Sequence, residues 1–578
     1  MPVFLLMSLL WTGACRRKGE EGEFGKFTSR FVYSTLAMSP VTATSVGYHE
    51  HQGVHLDEQL DDMSAAGIQR QRQYYASVRD QLTDWGKRPL TAEERADFDI
   101  MQDMVSLNLL DLDTIQSYRH NPALYVEMVG NALFTPYVLD YAPKARRMTQ
   151  IIARLEKIPR LIEQAKAQLT DAPEIWNRVA REENEGNIEL IGKTLREEAA
   201  GDLKAPYEKA AEPALAALRA FNVWLETELS KRTGDWRLGK GIYAAKFRYA
   251  LGANTPPEEL LRDAESFLEE TRNQMLALSK PLYARYYPGA AEGSLSDVVG
   301  KTLEKISENH ATAATYIGDA RRDLDEARRF VREKNLLALP MRDNLQLIET
   351  PAFMRGIYAV GGFNAAPALQ PELGAFYWLT PIPGDWPKER IESKLREYNT
   401  YGLKLLTIHE AMPGHYVQLE YANGVQPLAR RVLRSVFGNG PYVEGWAVYA
   451  TEMMLDEGYL DNSPALRLTF LKQQLRVAAN AILDVRMQTM NMSDQEAMKL
   501  MTEDTFQEKE EAAAKLQRAK LSSAQLPTYY LGYREWVKVR DAWRRRKGAS
   551  YRLYEFNDLA LKEGAVPMRT LAKLLEGK

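Results

Sequence analysis

The sequence predicts a mainly α-helical fold, a large multi-helix body with one small β element. Three observations predict it. Apolar residues recur at helical spacing over most of the 578 residues. Residues suited to capping helices stand just before those stretches. Strand-like alternation is almost absent from 441 to 520 and is found only between about 336 and 385. A chain this long exceeds one small core, so we divide it into an N-terminal helical lobe, 27–340, and a C-terminal helical lobe, 341–578.

The chain is 45% hydrophobic and 26% charged with a net charge of −3, which is ordinary for a globular protein and gives no nucleic-acid footprint. Its one cysteine, Cys15, makes no internal disulfide. Cys15 ends "MPVFLLMSLLWTGAC", in which residues 3–11 are almost wholly apolar and small residues precede the cysteine. This stretch resembles a bacterial lipoprotein signal. We read residues 1–15 as a signal peptide and Cys15 as the site of lipidation. The implied protein is exported, periplasmic or held to the membrane by that lipid alone, because the apolar run is too short to span a bilayer. The charged, Gly-containing residues 16–26 read as a tether.

Further on, "GYHEHQGVHLDE" gathers His49, His51, His55 and Glu50, but its glycines favour a loop over a metal site. Thr91 and Glu94 form a capping box. Met148, Ile151, Ile152, Leu155, Ile158 and Ile162 make one apolar stripe that Pro159 should kink. The prolines of "TPPEELL" suit a first helical turn, Ser463-Pro464 opens a long helix, and Ser493 with Glu496 is a second capping box. "LLALPMRDNLQLIETPAFMRG" and "GAFYWLTPIPGDW" lie in the exceptional region, where "AFYWL" has β propensity and one or two strands are expected. Methionines 453, 454, 487, 490 and 492 read as core filler, and "WRRRKG" as a solvated helix end.

The chemistry is concentrated in "KERIESKLREYNTYGLKLLTIHEAMPGH". Ile391, Leu395, Tyr398, Leu405 and Ile408 give it an apolar face, so one helix is expected to carry the His409–Glu410 pair. Imidazole is a common zinc ligand, and an adjacent carboxylate can take a proton from water. The second histidine, His415, comes six residues after the first instead of four. Six residues turn about 600°, roughly 240° net, so a continuous helix would aim the two imidazoles apart. Pro413 and Gly414 permit the break that returns His415 toward His409. A zinc site with an open position needs a third protein ligand. "PYVEGWAVYATEMML" offers Glu444, with Glu452 eight residues on as a carboxylate able to orient a histidine.

"HEAMPGHYVQ" followed by "EGWAVYA" resembles the bacterial family called domain of unknown function 885, whose members carry H-E-x-x-P-G-H and E-G-W-A motifs. The likeness extends over nearly the whole mature chain, through "SPVTATSVGYHEHQGVHLDE", "FYWLTPIP", "YYLGYREWVKVRDA" and "FNDLALKEGAVPM". That family is similar to helical glutamate-zincin peptidases, including oligopeptidases and peptidyl-dipeptidases. The resemblance implies a metallopeptidase-like fold with a catalytic lobe at 341–578. It implies His409, His415 and Glu444 as ligands of Zn2+, Glu410 as general base and a peptide as substrate. Tyr529, with Tyr530 next, is the expected oxyanion donor. "AFYWL" is expected to pair as an edge strand with the peptide, and Arg540 or another cation to hold a substrate carboxylate. Two other readings stay open: a catalytically inactive relative that binds peptides or scaffolds envelope proteins, and a metallohydrolase of esters or other amides.

Overall fold

The computed structural model describes residues 22–350, 355 and 360–578. Cys15, the signal segment and residues 16–21 of the expected tether lie outside them. The end of that tether is instead structured. Glu23–Met38 is a helix, and Phe24 and Phe27 pack their rings against Trp85. Apolar burial fixes the chain from Glu23 onward, despite the charged run before it.

The molecule is a large multi-helix body. Thr91 accepts from the Glu94 amide and Glu94 returns a bond to the Thr91 amide, which opens the helix Ala92–Leu110. The apolar stripe from Met148 to Ile162 is buried throughout. It is carried by two helices, Lys144–Leu155 and Ile158–Gln168, not by one kinked helix. Pro159 stands in the first turn of the second helix, where its missing N–H leaves no bond unmade. Pro257 opens a helix to Tyr286, and Ser463 caps Pro464–Thr489 by accepting from the Leu466 amide. These two long helices lie against each other, and Ala92–Leu110 lies against Met568–Glu576. Helices from both sides of residue 340 thus share one core, which runs from Phe24 to Leu575. Met453, Met454, Met487 and Met492 fill it, whereas Met490 is 60% exposed at a helix end. No helix among the described residues is long and apolar enough to cross a membrane.

Two strands of two residues, β1 (Glu50–His51) and β2 (Val54–His55), pair as a hairpin in the histidine-rich loop. His49 there bonds Asp57 and Gln370 through its two ring nitrogens, so its polar atoms are used structurally. Three further strands form a sheet, more than the one or two expected: β3 (Leu345–Glu349), β4 (Gly361–Asn364) and β5 (Ala375–Leu379). The order is β3-β5-β4, parallel on one side of β5 and antiparallel on the other. "AFYWL" is therefore the central strand. It cannot be the edge that pairs with a peptide, because both neighbours already use its backbone groups. Its side chains alternate as a pleated strand requires. Phe376 and Trp378 join Phe134 and Leu139 on one face. Tyr377 faces the other way, its hydroxyl 3.4 Å from that of Thr407.

Candidate metal centre

The motif segment is two helices, Lys388–Glu397 and Thr400–Glu410, where one was expected. Asn399 ends the continuity: its side chain accepts from the amides of Tyr401 and Gly402 and caps the second helix. That helix stops at Glu410, and a new one begins at His415 and runs to Ala422. The turn between them is built on a close approach. The Gly414 amide donates to the Ile408 carbonyl at 2.9 Å. A Cβ on Gly414 would stand 1.9 Å from the His409 carbonyl oxygen, so only glycine fits. The Met412–Pro413 peptide is cis. The indole N–H of Trp446 donates to the Pro413 carbonyl at 2.9 Å and braces the turn from outside. The rings of His409 and His415 stand 4.8 Å apart, nearly perpendicular.

Glu444 comes from the helix Gly440–Asp456, which Asn439 caps through the Tyr442 amide. Its Oε2 lies 3.6 Å from His409 Nε2 and 3.4 Å from His415 Nε2, and the three ligand atoms fall within 4.8 Å of one another. Glu444 Oε2 and His415 Nδ1 are buried without a hydrogen-bond partner among the described residues. Separations of 3.4 and 3.6 Å are long for hydrogen bonds. They are near the roughly 3.3 Å edge of a tetrahedron whose metal–ligand bonds are about 2.0–2.1 Å. The donor set of two imidazoles and one carboxylate leaves one position of a tetrahedron for water or substrate, so the residues fit a zinc ion. Electrostatics agree. Burial opposes charge on Glu444, but His415 and His409 outweigh it and hold the carboxyl well below the usual range. Burial likewise opposes charge on His415, and Glu444 with Glu410 raises it above the ordinary value.

Residues 40–575 match the profile of a family described as a bacterial protein of unknown function, DUF885. The chain belongs to this family. It is similar in structure to a candidate lipoprotein of unknown function from Shewanella oneidensis, with TM-score 0.81 and 27% identity over 96% of this chain and 100% of that one. A candidate lipoprotein from Colwellia psychrerythraea shares the fold, with TM-score 0.79 and 16% identity over 96% of this chain and 98% of that one. No curated protein matches.

In this DUF885 chain the other expected site residues divide. Glu410 ends the motif helix, partly exposed; its carboxylate makes no hydrogen bond or ion pair among the described residues, and its charge is felt by His415. Tyr529 stacks on His409 with centroids 6.4 Å apart and accepts from Arg518 at 3.1 Å. Burial, aided by Glu444, pushes its hydroxyl up to about 12, so it keeps its proton at neutral pH. Tyr530 turns away and donates to Asp263 at 2.7 Å, which uses its hydroxyl elsewhere. Adjacent helix positions differ by about 100°, so the two tyrosines could not both face the histidines. Glu452 accepts from Tyr533 at 2.9 Å and orients no histidine. Arg540 pairs with Asp541 and lies over the Tyr449 ring. Two cations on which the charge of Glu444 acts are ones the sequence did not single out. Arg518 and Lys515 stand on the helix Lys509–Leu521.

Proposed function

We propose that the protein is a zinc-dependent peptidase in which His409, His415 and Glu444 hold the metal and Glu410 is the general base. One observation carries the reading: two imidazole nitrogens and a carboxylate oxygen without a hydrogen-bond partner converge at ligand-to-ligand spacing, beside a free glutamate. Zinc bound there would supply Lewis acidity and a water of lowered pKa. Glu410 would take the proton of the attacking water at its carboxylate and deliver it to the leaving amine. Tyr529 would donate its O–H to the carbonyl oxygen as negative charge grows there. Its bond from Arg518 leaves that proton free to donate. The extended substrate would lie along β3 or β4, the outer strands of the sheet among the described residues, and not along β5.

Export with a lipid on Cys15 belongs to the same proposal. The lipoprotein-like start of the sequence supports it, as do the two similar structures described as candidate lipoproteins. The test joins metal analysis of the purified protein to a peptide-library digest by wild type and Glu410→Gln. Stoichiometric zinc with cleavage that Glu410→Gln abolishes supports the reading. A protein that binds no zinc, or that cleaves esters and no peptide, overturns it.

A further inference from the structure

Beside the proposed metal centre stand two cations with no acidic partner among the described residues. Lys515 is 6% exposed, and among the described residues no hydrogen bond or ion pair engages its ammonium. The charges that act on it come from Arg476, Arg518, Glu511 and Glu444, the last a metal ligand. Glu511 does not neutralise it, because that carboxylate is held by Arg476. Glu397 does not either, being paired with Lys472 at 2.7 Å. Arg518, one turn on from Lys515, bonds only neutral groups: Gln525 Oε1 at 3.0 Å and the Tyr529 hydroxyl at 3.1 Å. Tyr529 in turn stacks on His409, so this cationic face begins one side chain away from the metal ligands.

A lysine whose side chain is largely buried and whose charge has no acidic partner among the described residues is poorly compensated, and an anionic ligand would complete it. Burial and the two neighbouring arginines push Lys515 well below the ordinary lysine value, so an arriving anion would stabilise its charged form. The position also limits the ligand. An extended peptide advances roughly 3.5 Å per residue. Arg518 reaches Tyr529, which stacks on His409, so a group that meets this cationic face while a peptide bond meets the metal would belong to a residue close to that bond.

We propose that Lys515 and Arg518 bind a carboxylate of the peptide substrate close to the scissile bond, the free C-terminal carboxylate above all, so that cleavage falls near the C-terminus. This inference rests on the peptidase reading for the meaning of the site, but its test reads binding and does not require turnover.

The test uses full-length Glu410→Gln protein as purified, titrated calorimetrically with three probes: acetyl-Ala-Ala-Ala as free acid, the same peptide as C-terminal amide, and acetyl-Ala-Ala-Glu amide. A charge-assisted contact of this kind is worth roughly 10- to 100-fold in affinity. The free acid is expected to bind at least about tenfold more tightly than its amide. Lys515→Gln, checked for native circular dichroism, is expected to bring that ratio to about one. Tight binding of the glutamyl amide as well would place the carboxylate on a side chain, which also supports the proposal. Equal affinity for all three probes, or none for any, overturns it without need of the variant. Wild-type digestion of peptides with no such preference would leave the peptidase reading standing alone. Selective binding with no hydrolysis by wild type would do the reverse.

Discussion

Gly445 and Gly532 meet backbone to backbone. They lie where the helix Gly440–Asp456 crosses the helix Pro527–Lys547. A Cβ on Gly445 would stand 2.2 Å from the carbonyl carbon of Gly532, and one on Gly532 would stand 2.0 Å from the Pro441 carbonyl oxygen. Glu444 precedes the first glycine and Tyr529 lies one turn before the second. The crossing that brings the helices this close therefore also sets Glu444, the proposed metal ligand, against the tyrosine that stacks on His409.

Alanine at either glycine must push the helices apart. Gly445→Ala and Gly532→Ala are each expected to lose about 1–3 kcal/mol of stability or more, because backbone atoms cannot repack. Gly192→Ala, whose new methyl would meet nothing within 4 Å, is the control and should change stability by under about 1 kcal/mol. Urea unfolding of the three variants checks this. Equal midpoints for all three would sink the argument.

Metal retention should depend on each of the three ligands. His409→Ala, His415→Ala and Glu444→Gln are each expected to weaken zinc more than about 100-fold, since losing even an outer partner of a ligand costs about 10- to 100-fold. Competition with a chelating dye measures it. Wild-type affinity in any one variant would remove that residue from the site.

Adjacent tyrosines should behave differently. Tyr529→Phe is expected to lower kcat about 100- to 1,000-fold with little change in KM, as removal of an oxyanion donor does. Tyr530→Phe should keep kcat within about twofold and cost about 1 kcal/mol of stability through its lost bond to Asp263. Glu410→Gln should lower kcat by at least about 100-fold while zinc stays bound. Steady-state kinetics on the peptides found by library digestion separate the three.

One buried acid gives a pH dependence unrelated to the metal. Burial lifts the Asp484 carboxyl from 3.8 to about 6. Tyr243 and the Ala524 amide both donate to its Oδ2, and Oδ1 has no partner among the described residues. The folded protein holds this proton more tightly than the unfolded chain does. The stability it gives is thus complete below about pH 4 and is lost as pH rises toward 6. Asp484→Asn mimics the protonated acid and loses nothing over that range. It should therefore gain on wild type by about 2–3 kcal/mol between pH 4 and pH 7. Unfolding free energies of both proteins at the two pH values measure the gain, and a gap that does not move with pH refutes it.

Much of the molecule was legible from local signals. Capping boxes at Thr91 and Ser493 need only a few residues, and both are formed. The apolar stripe from Met148 to Ile162 announced its burial because period sets which face is apolar. It did not announce the break at Glu156–Lys157, because stripe and period continue across it. The single helix expected before His409 failed for a similar reason. Asn399 favours a cap but is tolerated inside a helix, and the apolar period that runs across it did not mark the break.

By itself the sequence singled out the candidate site residues and showed that Pro413 and Gly414 permit a turn between the two histidines. It determined too that the body is helical, since these depend on residue identity and short-range period. Only the tertiary structure decided that Glu444 joins them, that Tyr529 and not Tyr530 faces them, and that "AFYWL" is central. It also decided that Lys515 is buried with no ion pair among the described residues. The physical reason is that each of these is a relation between segments far apart in the chain. What fixes such a relation is how closely two backbones can approach, as at Gly445 and Gly532, and no local pattern of residues carries that distance.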